Sequence, residues 1–287
     1  MSNSDKTSLG DRMKSYEVPS TTRKAFKGQP LVVRLDGKSF HTFTKGLKRP
    51  YDVRLSQLMV ETSKALVDRF QAKIGYTQSD EITLVWNIDC DGSSEFPFDG
   101  RFQKMESLLA AYATAFFNKN LADYLPEKAE QLPIFDARAF VVPNLMEAYN
   151  AVLWRQQDAT KNAISMAAQS MFSHKVLQNK NSSEMQEMMW SQHGINFNDY
   201  PAFFKRGMFV RRVKRERILT DVEMSNIPEA HRPTGPVVRS SVEAADIWLS
   251  RQTKPLDVLF FDAEPMAISG PVLAVDILED DAGTVSV

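Results

Sequence analysis

The stretch "VVRLDGKSFHTF", residues 32–43, is an apolar, β-branched run that ends abruptly at a carboxylate and a glycine, Asp36 and Gly37. One interpretation is an ordinary turn, since Asp and Gly both tolerate unusual backbone angles. The other is that Asp36 holds a cation while the backbone N–H groups that follow hold phosphates. A second carboxylate elsewhere in the chain is needed to decide between them.

Length and composition describe an ordinary globular protein. With 287 residues, of which 43% are hydrophobic, the chain can bury a sizeable core as one large domain or two modest ones. The 35 basic and 36 acidic residues give a formal net charge of −1. Overall charge therefore provides no attraction to a polyanion, and any such site must come from local clustering.

The single cysteine and the N-terminus bear on the compartment. Cys90 alone cannot form an internal disulfide framework or a cysteine-rich zinc site, and we interpret it as a small filler at a strand end. The first residues are polar where a signal peptide needs an apolar stretch, and no later run reaches the roughly 18 apolar residues of a membrane span. We therefore expect a cytoplasmic protein with no membrane partner.

The patterns around the opening stretch predict the order strand, helix, strand, strand, helix, strand. Apolar alternation marks the strands, and helical spacing of apolar residues marks the helices. The predicted elements lie at 31–36, 52–70, 74–78, 82–88, 101–121 and 134–142. This order is that of the ferredoxin-like, split-βαβ unit, an α+β fold in which two helices back one face of an antiparallel sheet.

Asp80, at the tip of the predicted hairpin, supplies the second carboxylate. In a split-βαβ unit the first strand pairs beside the hairpin, so Asp36 and Asp80 can face each other. Two close carboxylates repel unless a proton or a cation intervenes. Two Mg²⁺ ions suit such a site, because they accept carboxylates and substrate phosphates and align an attacking and a leaving oxygen. This is the polymerase and cyclase palm arrangement, in which Gly37 lets the backbone approach closely.

The residues after Gly37 would form a backbone cradle for a triphosphate. The alternative keeps both aspartates as solvated turn residues, and their joint placement favours the metal site. His41 also has an alternative role, which is to hold the loop by hydrogen bonds rather than to act as an acid.

Beyond Pro143 the patterns become helical. The run "LMEAYNAVLWRQQDATKNAISMAAQSMF" has apolar residues at helical spacing and no Gly or Pro, and a short helix is predicted from Ser182. We therefore divide the chain into a catalytic palm with an N-terminal extension at 1–143 and a helical C-terminal region at 144–287, packed as one unit. The aromatic residues interpreted as core are Trp86, Phe116 and Trp154.

Four motifs in this order, "VVRLDGKSFHTF", "YTQSDEITLVW", "FDARAFVVP" and "WRQQDATKN", carry a resemblance. From about residue 10 to about residue 215 the chain resembles the tRNA-histidine guanylyltransferase-like family, which extends RNA in the 3′-to-5′ direction. The resemblance implies a magnesium-dependent nucleotidyltransferase. ATP would activate the 5′-phosphate of a tRNA, and the 3′-hydroxyl of GTP or another nucleoside triphosphate would then attack it. A homotetramer is implied as well.

The resemblance also implies roles for individual residues. Asp36, the Gly37 backbone and Asp80 would be the metal ligands, and the two aspartates would be catalytic. The implied nucleotide contacts are Lys38, Ser39, Phe40, His41, Arg49, Ser79 and Asn162.

One window departs from the family pattern. Enzymes dedicated to histidine tRNA carry His-Ile-Asn-Asn-Leu-Tyr-Asn where this chain has residues 160–166, and only Asn162 survives. The departure resembles the "like" branch, which is associated with repair of tRNA 5′ ends. Base pairing with the opposite strand is then expected to select the nucleotide.

RNA contacts are predicted from local charge. The run "FKRGMFVRRVKRER", residues 204–217, would present basic side chains on one face if it forms a strand, and such a face binds an RNA backbone. A solvated surface is the alternative. His174 could contact a phosphate or cap a helix. The predicted RNA-binding residues are His174, Lys175, Arg211, Arg212 and Arg215.

Two rival functions remain. A palm-type nucleotide cyclase would use the same aspartates without RNA, and the "WRQQDATKN" segment and the basic run argue against it. An RNA-binding protein that has lost catalysis is disfavoured because Asp36, Gly37 and Asp80 are intact.

Overall fold

The computed structural model describes residues 8–88 and 94–266, so Cys90 lies outside the described residues. Its centre is a sheet of six antiparallel strands in the order β4-β1-β3-β2-β5-β6. The strands are β1 (Leu31–Gly37), β2 (Ile74–Gln78), β3 (Glu81–Trp86), β4 (Phe135–Val141), β5 (Met208–Arg217) and β6 (Val237–Ala245).

The helices range from single turns to the long α5. They are α1 (Leu9–Thr21), α2 (Phe40–Phe43), α3 (Val53–Arg69), α4 (Phe102–Tyr124), α5 (Leu145–Gln169), α6 (His174–Leu177), α7 (Ser182–His193), α8 (Ala202–Arg206), α9 (Asp221–Ser225) and α10 (Pro255–Phe260). The Asp52 side chain accepts from the Arg54 backbone N–H at 3.1 Å and caps the N-terminus of α3. Within 8–88 and 94–266, no helix has the length and apolar character needed to cross a bilayer.

The strand order β4-β1-β3-β2 is that of the split-βαβ unit, and the predicted α+β fold is confirmed. The β2–β3 hairpin, the two backing helices and the fourth strand all form near their predicted positions. Because β3 lies between β1 and β2, the end of β1 and the tip of the hairpin meet at one end of the sheet.

The patterns predict a helical C-terminal region, and the structure corrects this prediction. Two strands, β5 and β6, also come from that region. β5 pairs with β2, and β6 pairs with β5, so both strands extend the palm sheet. The early part of β5 is buried, although basic residues interrupt its apolar pattern. Arg211 is the extreme case, with 1% of its surface exposed.

Two cores cover the two faces of the sheet, and β1 contributes to both. On one face, α3 and α4 pack on a cluster that includes Leu31, Val33 and Leu35. On the other face, α5 and α10 pack on a cluster that includes Val32 and Phe209. Successive side chains of a strand point to opposite faces, so this division follows directly from the strand geometry.

The three aromatic residues expected in the core have different outcomes. Trp86 is buried, as predicted. Phe116 is half-buried, and its neighbour Phe117 takes the core position on α4. The prediction for Trp154 is wrong, because 55% of its surface is exposed. Val152 and Ala159 bury the sheet-facing side of α5, and Trp154 lies off that side.

Candidate active site

The end of β1 and the tip of the β2–β3 hairpin form one site. Asp36 pairs in register with Glu81, and the backbone N–H of Gly37 donates to the Asp80 carbonyl oxygen at 3.2 Å. Ser79 completes the turn with a φ of 55°. The structure thus brings Asp36 and Asp80 together, as the sequence predicts.

The electrostatics of this pair favour a bound cation. The pKa of Asp80 is raised to about 6, chiefly by burial and also by the nearby charges of Asp36 and Glu81, against hydrogen bonds that lower it. Each negative charge makes the other less favourable, and a cation between them would offset this repulsion.

The donor set fits Mg²⁺ better than a transition metal. Within the described parts of the chain, no group of three or more His, Cys, Asp or Glu side chains converges on one point. Zinc sites usually need such a group. Mg²⁺ is held by one or two carboxylates and takes its remaining ligands from water and substrate phosphates. Asp36 and Asp80 meet that smaller requirement.

The backbone at position 37 passes so close to the Phe40 ring that only glycine fits there. A Cβ atom at position 37 would lie 2.3 Å from the Phe40 ring. That ring cannot move aside easily, because it packs on Phe43, Phe117 and Phe135 with centroid separations of 5.0, 5.7 and 5.2 Å.

Replacing Gly37 with alanine is expected to lower the free energy of unfolding by about 2 kcal/mol, because the added methyl group overpacks the core beside Phe40. Urea denaturation measures the change. Gly235→Ala is the matched control, since no described residue other than its chain neighbours lies within 4 Å of its Cβ position. Equal stabilities for the two variants would contradict the close contact.

The predicted nucleotide-binding residues after Gly37 divide into two groups. Phe40 is 3% exposed, so its side chain lies in the core, and its backbone is the part available to the predicted cradle. Lys38, Ser39 and His41 are exposed. Among the described residues, the backbone N–H groups of Ser39 and Phe40 have no hydrogen-bond acceptor. Arg49 is exposed in the loop before α3.

A cavity of about 290 Å³ separates the hairpin tip from α5. Its lining residues are Gln78, Ser79, Asp80, Glu81, Asn162, Ser165, Met166 and Gln169. Asn162, which the resemblance implied as a nucleotide contact, therefore lies across the cavity from Asp80.

Arg155 connects α5 to the hairpin, and the sequence predictions did not include it. Its guanidinium pairs with Glu81 at 2.5 Å and with Asp158 at 3.2 Å. Gln156 is buried, donates to the Ile247 carbonyl oxygen at 2.8 Å and accepts from the Leu249 N–H at 2.9 Å. The "WRQQD" segment thus holds α5 in place over the sheet. Glu81 is adjacent to Asp80 in the sequence. A second acidic residue at the hairpin tip is the signal that could have indicated a basic partner such as Arg155.

The predicted RNA-binding residues are not one surface. The prediction for Arg211 is wrong, because this side chain is buried and donates to the Val258 and Ala263 carbonyl oxygens and to Glu243. Arg212 pairs with Asp68, and Arg215 pairs with Glu243 and Glu264. His174 and Lys175 are exposed at the start of α6.

Family models match most of the chain. The model described as "Thg1: tRNAHis guanylyltransferase" matches residues 10–143, and the model described as "Thg1 C terminal domain" matches residues 143–247. The tRNA(His) guanylyltransferase of Saccharomyces cerevisiae is 32% identical over 199 residues, which cover 63% of this chain and 82% of that protein.

Solved structures give the same result. A bacterial tRNA(His) guanylyltransferase (Thg1)-like protein in complex with ATP has a TM-score of 0.73 and 35% identity, and the match covers 88% of this chain and 100% of that one. A second such structure, in complex with GTP, has a TM-score of 0.63 and 35% identity, with coverage of 83% and 91%. The chain therefore belongs to the tRNAHis guanylyltransferase family.

Proposed function

We propose that this protein adds nucleotides in the 3′-to-5′ direction to the 5′ end of tRNA, in a magnesium-dependent reaction that repairs that end. Its family makes it a nucleotidyltransferase. The observation that carries the finer proposal is the meeting of Asp36 and Asp80 beside a cavity that reaches Asn162.

Asp36, Asp80 and the Gly37 backbone would hold the metal. When bound, two Mg²⁺ ions neutralise phosphate charge and align the attacking and leaving oxygens. The backbone holds these metal-binding residues side by side, because the Gly37 N–H donates a hydrogen bond to the Asp80 carbonyl oxygen.

Two transfers would occur at this one site. The 5′-phosphate of the RNA first attacks the α-phosphorus of ATP, and pyrophosphate leaves. The 3′-hydroxyl of the incoming nucleoside triphosphate then attacks the activated 5′-phosphate, and AMP leaves. The similar proteins in complex with ATP and with GTP support nucleotides as substrates. Catalysis rests mainly on positioning and charge neutralisation.

The loop after β1 is suited to the triphosphate. The N–H groups of Ser39 and Phe40 have no acceptor among the described residues and could donate to phosphate oxygens. The exposed side chains of Lys38, His41 and Arg49 add donors. On the cavity side, the remaining predicted contacts add polar groups, namely Ser79 and Asn162.

Nucleotide choice is proposed to come from the opposite RNA strand. Ser165 and Met166 line the cavity. The histidine-tRNA enzymes carry other residues at these two positions, so the side chains of their pattern are missing here. A truncated tRNA of any identity should therefore receive the nucleotide complementary to the facing acceptor-stem base.

The test is a matched set of truncated, 5′-monophosphorylated tRNAs that differ at the facing base or at the anticodon, incubated with ATP, Mg²⁺ and labelled nucleoside triphosphates. We expect the added nucleotide to change with the facing base and not with the anticodon. Addition of guanosine whatever the facing base would contradict template selection. A cyclic nucleotide as the only product would favour the cyclase instead.

A homotetramer and a cytoplasmic setting, which suits a tRNA substrate, complete the proposal. The oligomeric state is measured by sedimentation of the purified protein, and a monomer would contradict the tetramer. Fractionation of cells that carry a tagged copy measures the location.

A further inference from the structure

We propose that Trp154 and Arg34 bind the 5′-terminal nucleotide of the RNA, with its base stacked on Trp154 and the phosphate that links it to the next nucleotide near Arg34. This inference rests on the proposed function and gives roles to two residues that the resemblance leaves unassigned. RNA would thus cover the part of this face of the sheet that α5 leaves exposed.

The position of Arg34 relative to the site comes from β1. Arg34 precedes Asp36 by two residues, so both side chains lie on the same face of the strand, about 7 Å apart along it. This is the face that α5 covers, since Val32 packs in the core beneath that helix. A nucleotide whose 5′-phosphate lies at Asp36 can therefore extend over Arg34.

Trp154 lies directly beside Arg34. The guanidinium carbon of Arg34 is 5.8 Å from the centroid of the Trp154 ring, and that of Arg155 is 4.7 Å from it. Although two cations contact the indole, 55% of Trp154 remains exposed. An exposed aromatic ring beside guanidinium groups is a common platform for an unpaired base.

The charges around Arg34 are incompletely matched. Within 8–88 and 94–266, no carboxylate forms an ion pair with Arg34, and its buried Nε has no hydrogen-bond partner. Thr83, its cross-strand neighbour, is buried and its hydroxyl has no partner in the same ranges. Arg138, the neighbour on the other side, pairs with Asp136 at 3.6 Å, so Arg34 is the cation left without an ion pair on this part of the described sheet. The guanidinium of Arg34 and the buried Thr83 hydroxyl thus keep hydrogen-bonding capacity that is complementary to a phosphate.

The experiment measures the affinity of each variant for a truncated tRNA with a 5′-monophosphate, and separately its affinity for ATP. Trp154→Ala should weaken RNA binding about tenfold, because it removes the stacking of one base on the indole ring. Trp154→Phe should restore most of the affinity, and Arg34→Gln should weaken RNA binding while leaving ATP affinity unchanged. Trp190→Ala is the matched control, since Trp190 is 59% exposed on α7.

An RNA that lacks the base of its 5′-terminal nucleotide sharpens the test. Wild type and Trp154→Ala should bind this abasic RNA equally if the stacked base is the terminal one. A persisting difference would overturn the assignment, as would normal RNA affinity in both Trp154→Ala and Arg34→Gln. A change only in sedimentation mass would overturn it too, and would assign the surface to a second copy of the chain.

Failure of the inference and failure of the proposed function give different results. If wild type extends the RNA and the variants bind it normally, only the inference fails. If wild type neither binds nor extends any truncated tRNA, both fail.

Discussion

Replacing Asp36 or Asp80 with asparagine is expected to lower the rate of nucleotide addition by roughly 10³-fold, since metal coordination contributes several kcal/mol of charge stabilisation in such reactions. An amide keeps the shape of the side chain and removes its charge, so the cation is held less tightly. The measurement is single-turnover addition to a truncated tRNA at saturating Mg²⁺.

The control for these two variants is Asp99→Asn. Asp99 pairs with Lys24, close to the residues that precede β1, and its side chain is 66% exposed. Its activity should match wild type, and circular dichroism should show that all three variants are folded. Near-normal addition by Asp36→Asn or Asp80→Asn would contradict a shared metal site.

Replacing Arg211 with methionine is expected to lower the free energy of unfolding by about 3 kcal/mol, because breaking a buried ion pair leaves its partners uncompensated. Three groups would lose a donor: the Val258 and Ala263 carbonyl oxygens and Glu243. The melting temperature should fall by roughly 6 to 12 °C for a chain of this size.

Arg239→Met is the control for Arg211. Arg239 is exposed on β6, opposite Arg215, and its replacement should change the melting temperature by little. The affinity of folded Arg211→Met for RNA should equal that of wild type. Weaker RNA binding with unchanged stability would restore the interpretation of this residue as an RNA contact.

Local patterns predict the palm well. The Asp52 cap, the polar hairpin tip and the apolar alternation of β1 are each decided by neighbours in sequence, so 31–142 can be interpreted without the structure. β5 is harder, because its basic residues look solvated. The burial of Arg211 depends on Glu243 and on the segment near Ala263, which are distant in sequence.

The candidate site is predictable where topology decides it. The order of strands brings Asp36 to Asp80, and that order follows from the elements. The contacts of Arg155 with Glu81 and the exposure of Trp154 depend instead on how α5 is rotated over the sheet. Helical spacing shows that α5 has an apolar side, but not which polar side chains reach the hairpin.

Because β5 pairs with β2, the sheet cannot be completed until β5 has been synthesised. Thr77 pairs with Met208, so one edge of β2 stays open until the ribosome has made residue 208. At roughly 5–20 residues per second, this delay is on the order of ten seconds. An open strand edge can pair with other chains. The hairpin that carries Asp80 therefore has an edge open to such pairing while the rest of the chain is being made.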